Sequence, residues 1–381
     1  MARLVSLVFG LLAVVASLSA SVSGLSKAPA WTLDLDLPPQ ERFVSAVQLV
    51  VATHGWDNSI GGVLNLYQPI MDLVDDILGA KLENILKTKY NERWLELQGL
   101  AKGFAAVGKT DLANASRLVP IPFIYELQHI AALKGKVFTK ACTGILSLPT
   151  NKSQAMIHGR NMDEDPSPGR NCTLNITVTR GGSTLYHIFD WTWLTMGAYT
   201  ASRIGGLTLE ENWNNDGTQN LTQIIERLES PASMPVAFLF RYIQESEFSF
   251  SQATDYLMTV QLASPAYIIM SGPGRIGHVL SLMFDSTKNV KETLSDNSTT
   301  PYMVQTNYDR WMPDPPSDPR RTVAQNVLAM IGPERSGTEL GVWMALGTYP
   351  VHNPSTMFTA LMSVDRIPEG YVRVAMIPES P

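Results

Sequence analysis

Ala141-Cys-Thr-Gly-Ile-Leu146, followed by His158-Gly-Arg-Asn-Met-Asp163, is the stretch on which the reading of this chain turns. Each run has strand length and texture, and the polar segment between them reads as a hairpin connection. A cysteine at the start of one strand, with arginine and aspartate on the next, brings all three to one end of a sheet. Side chains alternate along a strand, so Arg160 and Asn161 must face opposite sides. Spacing alone leaves two readings open: a catalytic group, or a buried cysteine beside a surface ion pair.

Outward from this stretch the texture differs on the two sides. Upstream, Trp31-Thr-Leu-Asp-Leu-Asp-Leu-Pro-Pro39 alternates like a strand and is stopped by its prolines. From residue 43 to about 106 the pattern is helical, with Leu64, Tyr67, Ile70, Leu73, Ile77 and Leu78 at three- and four-residue spacing. Such a face packs on its own protein more often than on lipid. Downstream of Lys140, short strand-like runs predominate: 142–148, 156–162, 173–179, 186–193, 266–270, 279–284, 302–305 and 357–364. Helical windows fall at 221–228, 238–262 and 322–331. Strands grouped apart from helices point to layered α+β architecture rather than βαβ alternation.

The start of the chain reads as a secretory signal over residues 1–24: Arg3, an apolar run to Leu18, then small residues from Ala20 to Gly24. The run is shorter than the ~18–20 residues that span a bilayer. Six sequons, at Asn114, Asn151, Asn171, Asn175, Asn220 and Asn297, fit that route as glycosylation candidates. Secreted chains are usually disulfide-bonded, yet this one has only Cys142 and Cys172. One bridge would explain both. Otherwise a lone thiol in a secretory chain is a candidate nucleophile.

Several function classes fall away. Net charge is −6 with no Lys/Arg run, which argues against nucleic acid. Gly272-Pro-Gly-Arg-Ile-Gly277 matches a dinucleotide-loop pattern, but a strand-like His-Val-Leu-Ser run follows it instead of a helix, so it reads as a hairpin turn and implies no cofactor. The six histidines are scattered and no Cys-x-x-Cys pair occurs, so no metal is expected. Asp163-Glu-Asp165 reads as a solvated acidic turn rather than a calcium loop, and no Gly-x-Ser-x-Gly elbow is present.

Cys142-Thr143 and His158-Gly-Arg-Asn-Met-Asp163, taken with Gln305-Thr-Asn-Tyr-Asp-Arg-Trp311, closely resemble the family of acid ceramidase and N-acylethanolamine-hydrolysing acid amidase. Leu35-Asp-Leu-Pro-Pro-Gln-Glu-Arg42, Leu207-Thr-Leu-Glu-Glu211, Ala263-Ser-Pro-Ala-Tyr267 and Arg320-Arg321 are similar to further family segments, so the resemblance spans nearly all of the chain beyond residue 24. It implies a four-layer αββα Ntn-hydrolase sandwich (142–381) preceded by a helical alpha subunit (25–141), both made from one precursor that cuts itself between Ala141 and Cys142. Lysosomal or secreted localisation and a lipid amide substrate are implied with it, without a cofactor, and with a lipid-presenting activator or a membrane surface as possible partner. On this resemblance Cys142 is the nucleophile and new N-terminus. Arg160 and Asp163 shape its pocket, Asn307 donates to the oxyanion, Glu211 and Arg320 support, and Trp191, Trp193 and Tyr308 meet substrate.

The chemistry suits these residue types. A freed α-amine, with ordinary pKa near ~7.7–8.0, serves as base for its own thiol. Arg160 would lower that value, and Asp163 would hold Arg160 and orient the ammonium. An oxyanion donor of the Asn307 kind is worth ~10²–10³ in rate. The chain also departs from the family. The approach 128–141, with Lys134, Lys136 and Lys140, is longer, the family's bridging cysteines are unmatched, and Trp191-Thr-Trp193 breaks a glycine-aromatic pattern. Ceramide, an N-acylethanolamine, a bile-acid or penicillin-type amide, or an inactive lipid-binding role are the alternatives the motifs leave.

Overall fold

The computed structural model describes residues 25–133, 141–164, 167–214 and 220–373. In chain order it runs β1 (Leu25–Ser26), β2 (Ala30–Asp34), α1 (Val44–His54), α2 (Ile60–Lys89), α3 (Asn91–Ala106), α4 (Ile124–Leu133), β3 (Ala141–Ser147), β4 (Ile157–Asp163) and α5 (Ser167–Cys172). Then follow β5 (Leu174–Arg180), β6 (Ser183–Asp190), β7 (Thr200–Ser202), β8 (Thr208–Trp213), α6 (Leu221–Glu229), β9 (Ser233–Met234), α7 (Val236–Glu245) and α8 (Phe250–Thr259). The last elements are β10 (Gln261–Leu262), β11 (Ala266–Gly272), β12 (Ile276–Leu282), β13 (Val290–Leu294), β14 (Tyr302–Gln305), α9 (Arg320–Ser336), α10 (Glu339–Gly347), β15 (Thr356–Ser363) and β16 (Arg366–Arg373).

Two sheets stack face to face. One has the order β1-β16-β15-β4-β3-β14 and the other β13-β12-β11-β8-β7-β6-β5-β2. β3 packs across onto β8 and β11, while α9 and α10 cover the outer face of the first sheet and α7 and α8 the outer face of the second. The result is the αββα sandwich. β4 is buried along its whole length because it has a sheet on one side and helices on the other. Ile145, Val304, Ala324, Leu328, Val342 and Leu346 fill the space under α9 and α10.

The helical windows fall where expected, with one division. The window at 238–262 is two helices, separated where Glu247 takes a left-handed backbone (φ 54°). Ser249 then restarts the helix as a capping box, its hydroxyl accepting from the Gln252 N–H while the Gln252 side chain accepts from the Ser249 N–H. Periodicity alone carries through such a break because both helices pack on the same sheet. Gly272-Pro-Gly-Arg-Ile-Gly277 is the β11–β12 turn. There Arg275 sits at φ 60° and donates to the carbonyls of Pro149, Asn151 and Gln154, pinning the neighbouring β3–β4 connection.

The N-terminal segment is mainly helical, but it does more than precede the sandwich. β1 pairs antiparallel with β16, and β2 pairs in parallel with β5, so the segment supplies an edge strand to each sheet. These strands cap edges that would otherwise be open to pairing. Among the described residues, no helix is long and apolar enough to cross a membrane.

Candidate active site

The β3–β4 register sets Cys142 opposite Met162 and Gly144 opposite Arg160. Strand alternation then divides the hairpin. Arg160 and Met162 look into the space between the sheets with Cys142, whereas Thr143, Asn161 and Asp163 look toward α9 and α10. Contacts bear this out: Arg160 donates to the Tyr199 carbonyl and to Met162 Sδ (3.1 Å), with Nη2 3.9 Å from Cys142 Sγ. Asn161 on the other face donates to the carbonyls of Leu346 (2.8 Å) and Val351 (3.0 Å). Cys142, Arg160 and Asp163 are all buried, which removes the reading of a surface ion pair.

The same alternation corrects the expected Asp163–Arg160 pair. Asp163 faces Arg320 instead (3.5 Å), and its carboxylate accepts from Thr356 Oγ1 (2.6 Å) and Asn353 Nδ2 (3.0 Å). Burial raises the Asp163 carboxyl to about 6, with Arg320, Thr356 and Asn353 opposing the shift. Nor is 163–164 a solvated turn: Glu164 is buried, accepting from Tyr67 Oη (2.6 Å) and Gln128 Nε2 (3.2 Å), while Asp165 lies outside the described residues.

The Cys142 peptide is held on both sides. Its N–H donates to Asn307 Oδ1 (2.7 Å), and its carbonyl accepts from Arg320 Nη1 (2.8 Å). Arg320 also donates to Asn307 Oδ1 (2.9 Å) and is itself oriented by a two-pronged pair with Asp318 (2.7 Å each). Asn307 Nδ2 donates to the Trp213 carbonyl (2.8 Å). Two donors on Oδ1 and an obligate acceptor at Nδ2 fix the amide's orientation. In this arrangement the Asn307 oxygen meets the Cys142 nitrogen, and the NH₂ expected at an oxyanion is committed elsewhere.

The thiol is kept neutral. Burial pushes Cys142 up to about 12, Arg160 opposes this, Glu211 and Asp163 add to it, and a hydrogen bond from the Asp163 backbone N–H favours the thiolate. Glu211, on β8, lines the same pocket as Cys142 and Met162, together with the rings of Tyr125, Tyr199 and Trp213. The space left beside Cys142 is about 10 Å³, room for no more than a single water. Helix α4 closes it. His129 stacks on Trp213 at 3.5 Å, and the Tyr125 ring lies 5.0 Å from Trp213 and 5.6 Å from Tyr199.

The expected substrate aromatics are elsewhere. Trp193 is core, stacked on Phe43 with its indole N–H donating to the Cys172 carbonyl (2.7 Å), and Trp191 stacks on Tyr67. Tyr308 flanks the Asn307 loop, its carbonyl accepting from Gln305 Nε2 (3.0 Å). Burial, then the neighbouring Asp318, raises the Tyr308 hydroxyl pKa. The pocket rings Tyr125, Tyr199 and Trp213 carried no sequence signal, because a lone aromatic in a strand or helix looks the same in a core as in a site. Cys172 is a second unpaired, buried thiol, which burial pushes well up. Of the sequons, Asn114, Asn151, Asn220 and Asn297 are exposed, whereas Asn171 and Asn175 are half-buried and Asn171 Nδ2 donates to the Asn58 carbonyl. The expected signal at 1–24 and residues 134–140 of the long approach, with Lys134, Lys136 and Lys140, lie outside the described residues, whereas 128–133 complete α4 and Ala141 opens β3.

No family model matches the sequence. Acid ceramidases from Macaca fascicularis and Homo sapiens are 29% and 28% identical to it, each over 89% of this chain and 84% of theirs. An N-acylethanolamine-hydrolyzing acid amidase from Caenorhabditis elegans is 28% identical over 70% of this chain and 72% of its own. The solved structure of a Caenorhabditis elegans N-acylethanolamine-hydrolyzing acid amidase ortholog superposes with a TM-score of 0.52 at 26% identity, covering 59% of this chain and 94% of that one. In its αββα sandwich, and along most of its sequence, the chain is similar to acid ceramidases and to N-acylethanolamine-hydrolyzing acid amidase.

Proposed function

We propose that this chain is an amidase that hydrolyses the amide bond of lipid amides in an acidic, secretory-route compartment, with Cys142 as an N-terminal nucleophile freed by cleavage of the Ala141–Cys142 bond. The observation that carries this reading is the frame around Cys142. Asn307 holds its nitrogen, Arg320 its carbonyl, and Arg160 and the Asp163 N–H its sulfur. A merely structural cysteine has no use for such a frame.

In the uncut chain, Sγ attacks the Ala141 carbonyl carbon, the C–N bond to Cys142 breaks, and the departing nitrogen takes a proton. Water then hydrolyses the thioester, leaving an Ala141 carboxylate and a free α-amine. In the second reaction that amine, held by Asn307 Oδ1, takes the Sγ proton. The thiolate adds to the substrate amide carbon, the amine portion leaves protonated, and water releases the fatty acid from the thioester. Arg160 stabilises the thiolate in both. The 10 Å³ space admits no acyl chain, so α4 must give way before a lipid enters. Residues 25–141 and 142–381 would then be the two subunits of the working enzyme, with residues 1–24 removed as a signal.

The test is incubation at pH ~4.5 and ~7 followed by a denaturing gel, N-terminal sequencing, and release of fatty acid from ceramide and from an N-acylethanolamine. A new terminus beginning Cys-Thr-Gly with fatty acid release supports the reading. A chain that stays whole and releases none overturns it. The ratio of the two substrates assigns the head group.

A further inference from the structure

The N-terminal fragment of the proposed cut contains no cysteine, since Cys142 and Cys172 both lie on the other side. No disulfide within the chain can tie the two fragments together. We infer that Glu96 is the centre of an ionic latch that keeps fragment 25–141 seated on the nucleophile-bearing fragment after the cut, an inference that rests on the cleavage reading above.

Glu96, on α3, is fully buried, and both of its oxygens are doubly engaged. Oε1 accepts from Arg241 Nη2 and Arg42 Nη1 (2.9 Å each), and Oε2 from Arg241 Nη1 (2.8 Å) and Arg93 Nη1 (2.7 Å). Arg241 is on α7, beyond the cut, and it grips the carboxylate with both prongs of its guanidinium. A second pair crosses the same boundary: Arg93 Nη2 to Glu245 Oε2 at 3.1 Å. Glu245 in turn accepts from Arg241 Nε (2.6 Å) and Tyr186 Oη (3.2 Å), and Glu92 at the rim pairs with Arg42 at 2.5 Å. Arg42, Arg93 and Arg241 thus face Glu92, Glu96 and Glu245, and the formal charges balance.

Balance is what gives the latch its selectivity. A buried ion set is tolerable only while complete, and removing one partner strands the others in a low dielectric. Separation of the fragments would break the two-pronged Arg241–Glu96 grip and the Arg93–Glu245 pair, leaving Glu96 with Arg42 and Arg93 and leaving Arg241 with Glu245 alone. The set also survives acid. Burial pushes the Glu96 carboxyl up, but Arg241 and Arg93 outweigh it and hold the group at about 2. Glu245 is likewise held below the usual range: burial raises it, and Arg241 and Arg93 outweigh that. Nearby, Lys89 Nζ donates to the carbonyls of Leu228 (3.2 Å), Ser230 and Ser233 (2.8 Å), all beyond the cut, fastening the adjacent end of α2.

The experiment is gel filtration of the acid-processed protein at pH ~4.5 under native conditions. Wild-type fragments should co-elute at the mass of the whole. Glu96→Gln should lower the co-eluting share of the N-terminal fragment by about tenfold or more, because three guanidiniums lose their common partner. The uncut double variant Cys142→Ala/Glu96→Gln should still elute as a folded monomer. If it does not fold, Glu245→Gln, which weakens the second crossing pair, should give a smaller drop in the same direction. Co-elution of Glu96→Gln or Glu245→Gln fragments at the wild-type share overturns the latch alone. A wild-type chain that is never cut overturns the cleavage reading, and the latch with it.

Discussion

The buried charges around Glu96 and those around Cys142 are built on opposite principles. Around Glu96 every oxygen is paired, and guanidiniums hold the carboxyl at about 2. Around Cys142 burial wins: the thiol rises to about 12 and Asp163 to about 6. Burial is near-total in both places, so burial alone does not separate a structural site from a reactive one. What separates them is whether the partners offset it. Uncompensated groups are the ones left with chemistry to do.

The largest expected effects come from breaking each cluster at its centre. Cys142→Ala should abolish both the cut and fatty acid release while leaving the fold nearly untouched, read by gel, by assay and by thermal melting. Glu96→Ala should do the reverse in the uncut chain, costing about 3–5 kcal/mol in denaturant unfolding because it leaves three arginines without their common partner. If both variants lost stability alike, the contrast between the clusters would be gone.

The clusters also tilt stability with pH in opposite directions. Glu96 has a lowered folded pKa, so the folded state binds fewer protons than the unfolded chain between about 2 and ~4.3. Its stabilisation is present above that window and is lost as pH falls through it. Asp163 has a raised folded pKa, so between 3.8 and about 6 the folded state holds a proton that the unfolded chain has released. Stability therefore falls as pH rises through that window, by on the order of 2–3 kcal/mol at ~1.4 kcal/mol per unit. Asp163→Asn should flatten the fall between pH ~4 and ~6, and Glu96→Gln should remove the rise between ~2 and ~4, both read from urea midpoints.

Smaller effects sharpen the geometry. Asn307→Ala should slow both reactions by about 10²-fold through loss of orientation at the Cys142 nitrogen, with KM moving less than kcat. At Gly144, an added Cβ would lie 2.7 Å from a Glu210 carboxylate oxygen whose partner atom is bonded to buried His158 at 2.8 Å. Gly144→Ala should therefore cost about 1–3 kcal/mol by crowding in thermal unfolding. A neutral result would mean that Glu210 moves aside freely.

Much of this was legible in the sequence where the deciding interactions are local. The β3–β4 hairpin, the β11–β12 turn read from Gly272 to Gly277, and the helical upstream segment all follow from period and punctuation. Cys142, Arg160, Asp163 and Asn307 could be named, and the structure brings them together. Their pairing could not be read the same way. Asp163 meets Arg320, which lies 157 positions away, and α4 brings Tyr125 and His129 to the pocket across the proposed cut. Trp191 and Trp193 went to the core because aromatic identity does not encode which side of a sheet a ring will face. The Glu96 set was invisible for the same reason, since its members come from α3, α7 and the turn at Arg42, far apart in the sequence.

The most direct test of the central claim is the N-terminal sequence of the large fragment after incubation in acid. The expected result is Cys-Thr-Gly-Ile, appearing in the wild type, slowed in Asn307→Ala and absent from Cys142→Ala. A wild-type chain that stays whole, or a fragment that begins anywhere other than Cys142, would contradict it.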